Sequence, residues 1–599
     1  MRSATATPPQ VAHGTVVEAL WATVDAHPER PAFLSGDGRL ELTWGDIGRE
    51  VERLGRGLLR AGVGHGDTVA LMLGNRPEFN VVDLAVAAIG AVPFSVYNTA
   101  SGEQIAYVVA DSGARLAIVE AQFADHFRAA AHGTGVERIL VLEDGALEAL
   151  ADDDPAVDVR ARSAELRPDD LVTVVYTSGT TGPPKGVQVT HANVLATLNS
   201  TLAVMGTREH PRFISWLPAA HMAERMANHY SAAVLGATVT CCPDARQVLP
   251  HLAAHRPTWF FAVPRLWEKL KAGLEAAWEG LPAAERQRID DDLAARLAVV
   301  RAGQADGVPT AEQERAALAA DARSFAPLRA QVGLDDVDAI CVASAPCPRE
   351  VVEFFHALGL PLNEIWGMTE TTACGTFNPP DRIRIGTVGL PLPGTEIRLE
   401  DDGEILVRGA SVTRGYLHAP QATQAAIDRE GWLRTGDIGA FDEAGYLRIV
   451  DRKKELIINA GGKNMSPANI EAAIKVACPL VAHAVAVGDG RPYNVALLVL
   501  DPDFAPAWAS VRGLEPDLQA LAAHPDVVTA VRAGVQVAND RLSRIEQIKR
   551  FILLAGPWPT EEGQELTPTQ KLRRSNIAAH HRADIDDLYA ARAGVEVNA

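Results

Sequence analysis

In GDIGREVERLGRGLLRAG, from Gly45, apolar positions recur at helical spacing and stop at a glycine; DTVALML, from Asp67, is a short apolar run of strand type. The alternation returns in ARLAIVE and ERILVLE, so the chain to about residue 165 reads as buried strands between helices, the pattern of α/β layering. From Glu268 to about Ala330 the texture changes to Ala, Glu, Arg and Leu without strand runs, broken by Pro282 and Pro309. Thr310-Ala311-Glu312-Gln313 has the form of a capping box, which predicts a surface helical insertion over 268–330. Beyond Gly386, GTEIRLEDDGEILVRG and AGYLRIVD predict a small β-rich unit, and after Asp451 the α/β pattern returns. The expected organisation is a large layered domain over 1–450 with a β-barrel-like subdomain, then a small α+β domain over 451–599.

Composition narrows the classes. With 599 residues, 47% of them hydrophobic, the chain can build several large cores, so wholesale disorder is excluded. Its 56 basic and 76 acidic side chains give a net charge of −20, which lacks the footprint of a general nucleic-acid binder. Local anion sites remain open, because glycine-rich loops and helix N-termini act whatever the net charge. Six cysteines without a CxxC give neither a zinc signature nor a disulfide framework and point to the reducing cytosol. The N-terminus has no apolar h-region, and the best candidate span, Val81 to Val96, is interrupted by Asp83, Gly90 and Pro93, so neither a secretory signal nor a membrane span is expected. Peripheral membrane contact and oligomeric state are left open.

The strongest chemical signal is Val174-Val175-Tyr176-Thr177-Ser178-Gly179-Thr180-Thr181-Gly182-Pro183-Pro184-Lys185-Gly186. A β-branched run ends in a loop of hydroxyls and glycines with one lysine. Glycines let backbone N–H groups approach phosphate oxygens, and the lysine supplies a point charge. The spacing is not that of a Walker A loop.

This string resembles the phosphate loop of the AMP-forming acyl-adenylate enzymes: acyl-CoA synthetases, firefly-type luciferases and peptide-synthetase adenylation domains. The resemblance runs in the family's order over about residues 35 to 580. It implies ATP and Mg²⁺, with Thr177, Ser178, Gly179, Thr180, Thr181, Gly182 and Lys185 at the phosphates. Trp366-Gly367-Met368-Thr369-Glu370 looks like the YGxTE motif, with Trp366 for Tyr as the plane that stacks on adenine and Glu370 holding Mg²⁺ together with Thr181. Cys341-Val342-Ala343-Ser344-Ala345-Pro346 stands where the family has an adenine-lining turn, but its usual glycines are replaced by Ala343 and Ser344. Gly436-Asp437 lies in the TGD motif, whose Asp437 accepts from the ribose hydroxyls. In the DRKKE segment the resemblance puts Arg452 near the ribose and Lys454 at a hinge. Near the end, Thr567-Pro568-Thr569-Gln570-Lys571 resembles the PTxK motif, whose lysine offsets repulsion between a carboxylate and the α-phosphate.

Two segments narrow the branch. LPAAHMAER from Leu217 resembles the LPxxHxxER of long- and very-long-chain fatty acyl-CoA synthetases, with His221 near the acyl carboxylate. VPRLW resembles a VPxxW segment in which Trp267 gates the fatty-acid tunnel. The long helical insertion after Glu268 and the WGMTE spelling together look most like the bubblegum-type, very-long-chain branch. The implied activity is conversion of a long- or very-long-chain fatty acid, ATP and coenzyme A to acyl-CoA, AMP and pyrophosphate. Its alternatives are an acyl-AMP ligase that loads a carrier protein and an inactive adenylate-fold binding module. Lys185 weighs against the first; Lys185, Glu370, Asp437, Arg452 and Lys571 together weigh against the second.

Overall fold

The computed structural model describes residues 11–177, 183–305, 307–460, 463–559, 563–567 and 571–590. The N-terminal part stacks strands and helices as the apolar pattern requires. Four parallel strands, Val92–Ser95, Thr68–Met72, Leu116–Val119 and Arg138–Val141, form one sheet in that order. Val92–Ser95 and Leu116–Val119 are buried along their whole length, as strands covered on both faces must be. The run expected to be closest to a membrane span is instead the buried helix Pro77–Ala88, a turn, and the strand Val92–Ser95. Among the described residues no helix is long and apolar enough to cross a membrane.

A second sheet pairs Glu41–Thr43, Pro31–Ser35, Thr238–Cys241 and Arg212–Ser215. A third runs parallel through Trp259–Ala262, Ala339–Val342 and Leu362–Glu364. The strands Leu171–Thr177 and Lys185–Thr190 pair as an antiparallel hairpin, with Thr177 opposite Lys185. Ser178, Gly179, Thr180, Thr181 and Gly182 lie outside the described residues.

The 268–330 stretch is helical, as the loss of strand runs predicts: Pro264–Glu279, Ala283–Gln304, Ala311–Ala320 and Ala326–Gln331. Thr310 and Gln313 form the predicted capping box. The β-rich unit is a four-stranded antiparallel sheet, Thr395–Leu399, Glu404–Gly409, Leu433–Phe441 and Leu447–Arg452. From Ile457 onward the chain builds cores of its own around the sheet Val481–Val487, Asn494–Leu500 and Ile548–Leu554.

Candidate active site

One cavity of about 1930 Å³ opens between the N-terminal layers and the C-terminal part, and most of the singled-out residues line it. Thr177, His221, the turn Ser344-Ala345-Pro346, the run Trp366 to Glu370, Asp437, Arg452 and Lys571 all face this space. Three expected residues do not. Lys185 stands beside the cavity at the start of its strand, Lys454 lies in an exposed turn, and Trp267 is in the core.

Sheet register brings Asp437 and Arg452 together. Asp437 lies opposite Arg452 across adjacent antiparallel strands, so Arg452 Nε meets Asp437 Oδ1 at 2.7 Å. Trp366 Nε1 donates to Asp437 Oδ2 at 2.8 Å, a contact that its indole makes while its plane stays on the cavity wall. Burial raises the Asp437 carboxyl, and Arg452 opposes that shift. TGD is therefore part of a strand, with Gly436 at φ +70° and a register shift just beyond it. Gly367 has a separate reason to be glycine: a Cβ there would stand 2.2 Å from the Ala373 carbonyl oxygen.

The departure from glycine at Ala343 and Ser344 has a structural resolution. Ser344 itself takes the left-handed conformation, φ +74°, in which glycine is unstrained. A non-glycine residue held there costs on the order of 1–3 kcal/mol, part of which a glycine returns through its freer unfolded chain. Ser344→Gly is thus expected to raise unfolding stability by about 1 kcal/mol. ATP affinity should stay within about twofold, read by denaturation and by titration; a loss of stability would contradict strain at this turn.

His221 caps a short helical turn, and its Nδ1 accepts the Ala223 N–H at 3.1 Å. Burial, then the nearby Lys571 charge, pushes its pKa down to about 4. The ring is therefore neutral near pH 7, with its proton on Nε2 as a donor. Its loop is gripped from behind. Arg225 Nε donates to the Ala219 carbonyl at 3.1 Å, Glu224 accepts the Leu217 N–H at 3.2 Å, and Asn75 donates to the Leu217 carbonyl at 2.8 Å.

Glu370 sits in a 3-10 turn, where Oε1 accepts the Tyr416 hydroxyl at 2.8 Å. Among the described residues Oε2 has no hydrogen-bond partner. No three His, Cys, Asp or Glu side chains converge among the described residues. A cation at Glu370 would therefore draw most ligands from phosphates and water, which fits Mg²⁺.

Lys571 projects into the cavity from the C-terminal part, in a loop closed by its own backbone: Thr567 N–H donates to the Lys571 carbonyl and Lys571 N–H to Thr567 Oγ1. Its side chain is exposed to the cavity space while protein surrounds that space, and burial followed by Arg452 lowers its pKa. Asp437, Glu455 and Glu370 counter this shift. Ion pairs hold the C-terminal part against the helix Pro264–Glu279: Arg265 with Asp501, Lys269 with Asp503, and Lys475 with Glu268.

The expected gate at Trp267 is not on the cavity. Trp267 is fully buried between Phe260 and Phe355, at centroid distances of 5.9 and 4.9 Å. The reason is helical phase: Arg265, Leu266 and Lys269 take the cavity side of the helix, while Trp267 and Leu270 turn to the core. The aromatic wall comes instead from Trp259 and Phe261 on the preceding strand.

Other wall residues carried signals that the motifs did not use. Leu198, Thr201, Leu202 and Met205 form one face of the helix His191–Met205 and line the apolar end, a stripe readable from i, i+4 spacing. Glu364, two residues before Trp366, also lines the cavity, and burial pushes its pKa up to about 7. Tyr416, which grips Glu370, belongs to no segment singled out from the sequence.

Comparison with known proteins accords with this geometry. Residues 20–417 match the AMP-binding enzymes and residues 454–593 the C-terminal domain of AMP-binding enzymes. The long-chain-fatty-acid–CoA ligase FadD15 of Mycobacterium bovis is 35% identical over 568 residues, 92% of each chain. The long-chain-fatty-acid–CoA ligase heimdall of Drosophila melanogaster is 28% identical over 657 residues, 97% of this chain and 95% of that one. The o-succinylbenzoate CoA synthetase of Bacillus subtilis, solved with its acyl-adenylate intermediate, shares the fold with a TM-score of 0.69 at 23% identity, over 93% of this chain and 97% of its own. With more than half of its length matched to one family model and its C-terminal part to the companion domain, this chain belongs to the AMP-binding enzyme family.

Proposed function

We propose that this chain is a long-chain fatty acid–CoA ligase of the bubblegum type, acting through an acyl-adenylate. The observation that carries this reading is one cavity lined both by Trp366, Glu370, Asp437, Arg452 and Lys571 and by the apolar side chains Leu198, Leu202, Met205, Trp259 and Phe261. Relatives named long-chain-fatty-acid–CoA ligases support the substrate class, and heimdall among them supports the branch.

The first step joins a fatty carboxylate oxygen to the α-phosphorus of ATP and expels pyrophosphate. Lys571 lies between the two anions and offsets their repulsion as charge develops. His221 donates from Nε2 to the acyl carboxylate, and Asp437 accepts from the ribose hydroxyls with Arg452 beside it. Glu370 and Thr181 would hold Mg²⁺, which neutralises phosphate charge. In the second step the CoA thiolate attacks the acyl carbon and AMP leaves; a thiol of pKa ~8.5 is partly ionised near neutrality, so no further nucleophile is needed.

We further read residues 451–599 as a body that turns between the two steps about Lys454, whose exposed turn follows the strand Leu447–Arg452. We read the protein as cytoplasmic.

The test is CoA-dependent AMP release over acids from acetate to very long chains. Each CH₂ buried in an apolar wall is worth ~0.8 kcal/mol, so kcat/KM should climb steeply with length until the cavity is filled. A preference for acetate or aryl acids would overturn the fatty-acid assignment.

A further inference from the structure

The segment Gly415–Leu417 lies as an extra antiparallel edge along the strand Lys185–Thr190. Gln188 N–H donates to the Gly415 carbonyl at 3.0 Å, Leu417 N–H to the Gly186 carbonyl at 2.7 Å, and Tyr416 forms a bridge with Val187. Tyr416 N–H donates to Thr423 Oγ1 at 3.0 Å. Backbone on both sides therefore fixes where this side chain starts. From there it makes two contacts of different kinds. Its hydroxyl donates to Glu370 Oε1 at 2.8 Å, and its ring lies 5.0 Å from Lys185 Nζ. The same stretch reaches Glu370 once more, through Thr413 N–H to the Glu370 carbonyl at 2.9 Å.

A carboxylate held at one oxygen presents the other in a fixed direction, and a lysine resting on an aromatic face loses part of its rotamer freedom before any phosphate arrives. Tyr416 thus sits between a carboxylate and an ammonium that start 185 residues apart in sequence, Lys185 and Glu370, and it touches both.

We propose that Tyr416 is a positioning residue for the phosphate end of the site: its hydroxyl orients Glu370 toward the cation that accompanies ATP, and its ring holds Lys185 beside the phosphate loop. This rests on the reading that Glu370 and Lys185 serve ATP. The two contacts separate by substitution, because Tyr416→Phe removes only the hydroxyl whereas Tyr416→Leu removes the ring as well.

The experiment is calorimetric titration of ATP, once with Mg²⁺ and once with EDTA, on the wild-type protein, Tyr416→Phe, Tyr416→Leu and Glu370→Gln, with thermal unfolding as the control for folding. The wild type should bind ATP more tightly with Mg²⁺. Tyr416→Phe should lose about tenfold of that advantage, the scale of a hydrogen bond to a charged group, while its affinity in EDTA stays within about twofold. Tyr416→Leu should in addition bind about threefold more weakly in EDTA. A Tyr416→Phe protein with the full Mg²⁺ advantage, or with equal losses in both buffers, overturns the proposal if Glu370→Gln has lost the advantage. If Glu370→Gln keeps it, the underlying assignment of Glu370 fails, and the role of the Tyr416 hydroxyl fails with it.

Discussion

Replacing Lys571 by alanine is expected to slow acyl-adenylate formation by about 10²–10³-fold, the cost of removing one preorganised charge from a centre where negative charge accumulates, about 3–4 kcal/mol. The ammonium lines the same cavity as His221, Glu370 and Asp437, and it is close enough to each to influence it electrostatically. Folding should survive, because the contacts that close the loop, Thr567 N–H to the Lys571 carbonyl and Lys571 N–H to Thr567 Oγ1, use the lysine's backbone. The second half-reaction provides the contrast: thioester formation from supplied acyl-AMP and CoA should fall far less. Equal losses in both, or an unfolded protein, would show that Lys571 acts otherwise.

The second large effect lies behind the site. Asp83, Arg225 and His229 are buried together, with Asp83 and Arg225 both 0% exposed. Arg225 Nη1 meets Asp83 Oδ2 at 2.8 Å and His229 Nε2 meets Asp83 Oδ1 at 2.9 Å. Burial alone would raise the Asp83 carboxyl; Arg225 and then His229 outweigh it and hold the pKa down. Asp83→Asn removes the counter-charge and leaves Arg225 desolvated, a change that costs about 3–5 kcal/mol when a buried pair is broken from one side. Against a typical stability of about 5–15 kcal/mol, that removes from about a fifth of the margin to all of it, and the denaturation midpoint should fall accordingly. The double change Asp83→Leu with Arg225→Met should recover much of the stability, since an apolar pair of similar volume is often tolerated. It should not recover full adenylation, because the Arg225 grip on the Ala219 carbonyl, and so on the His221 loop, is gone. Denaturant unfolding and initial rates check the two halves; a loss below about 1 kcal/mol in Asp83→Asn would contradict a charge pair essential to this core.

The layered order of strands and helices was legible because buried parallel strands leave short, wholly apolar runs, as Leu116–Val119 does, and because glycines and caps such as Thr310 mark helix ends. Motif spelling found the polar end of the cavity, since WGMTE, TGD and DRKKE each carry the side chain that reaches it. What joins them was not legible. The bond from Trp366 to Asp437 spans 71 positions and depends on how the β-rich sheet docks, which no local pattern encodes. Tyr416 was missed for the same reason: its two partners come from other strands and turns. Ser344 departs from the family's glycine, and only its φ of +74° shows that a serine keeps the glycine-like backbone there. Trp267 differs in kind: the helical phase that turns it inward, with Leu270 on its side and Lys269 on the other, is present in the sequence itself.

Acyl-adenylate chemistry in this cavity is tested most directly by isotope exchange between pyrophosphate and ATP, measured with a long-chain fatty acid, Mg²⁺ and no coenzyme A. Exchange that depends on the acid, and that falls by about 10²–10³-fold in Lys571→Ala, is the expected result. Acid-independent exchange, or none until coenzyme A is added, would contradict an acyl-AMP formed before the thiol arrives.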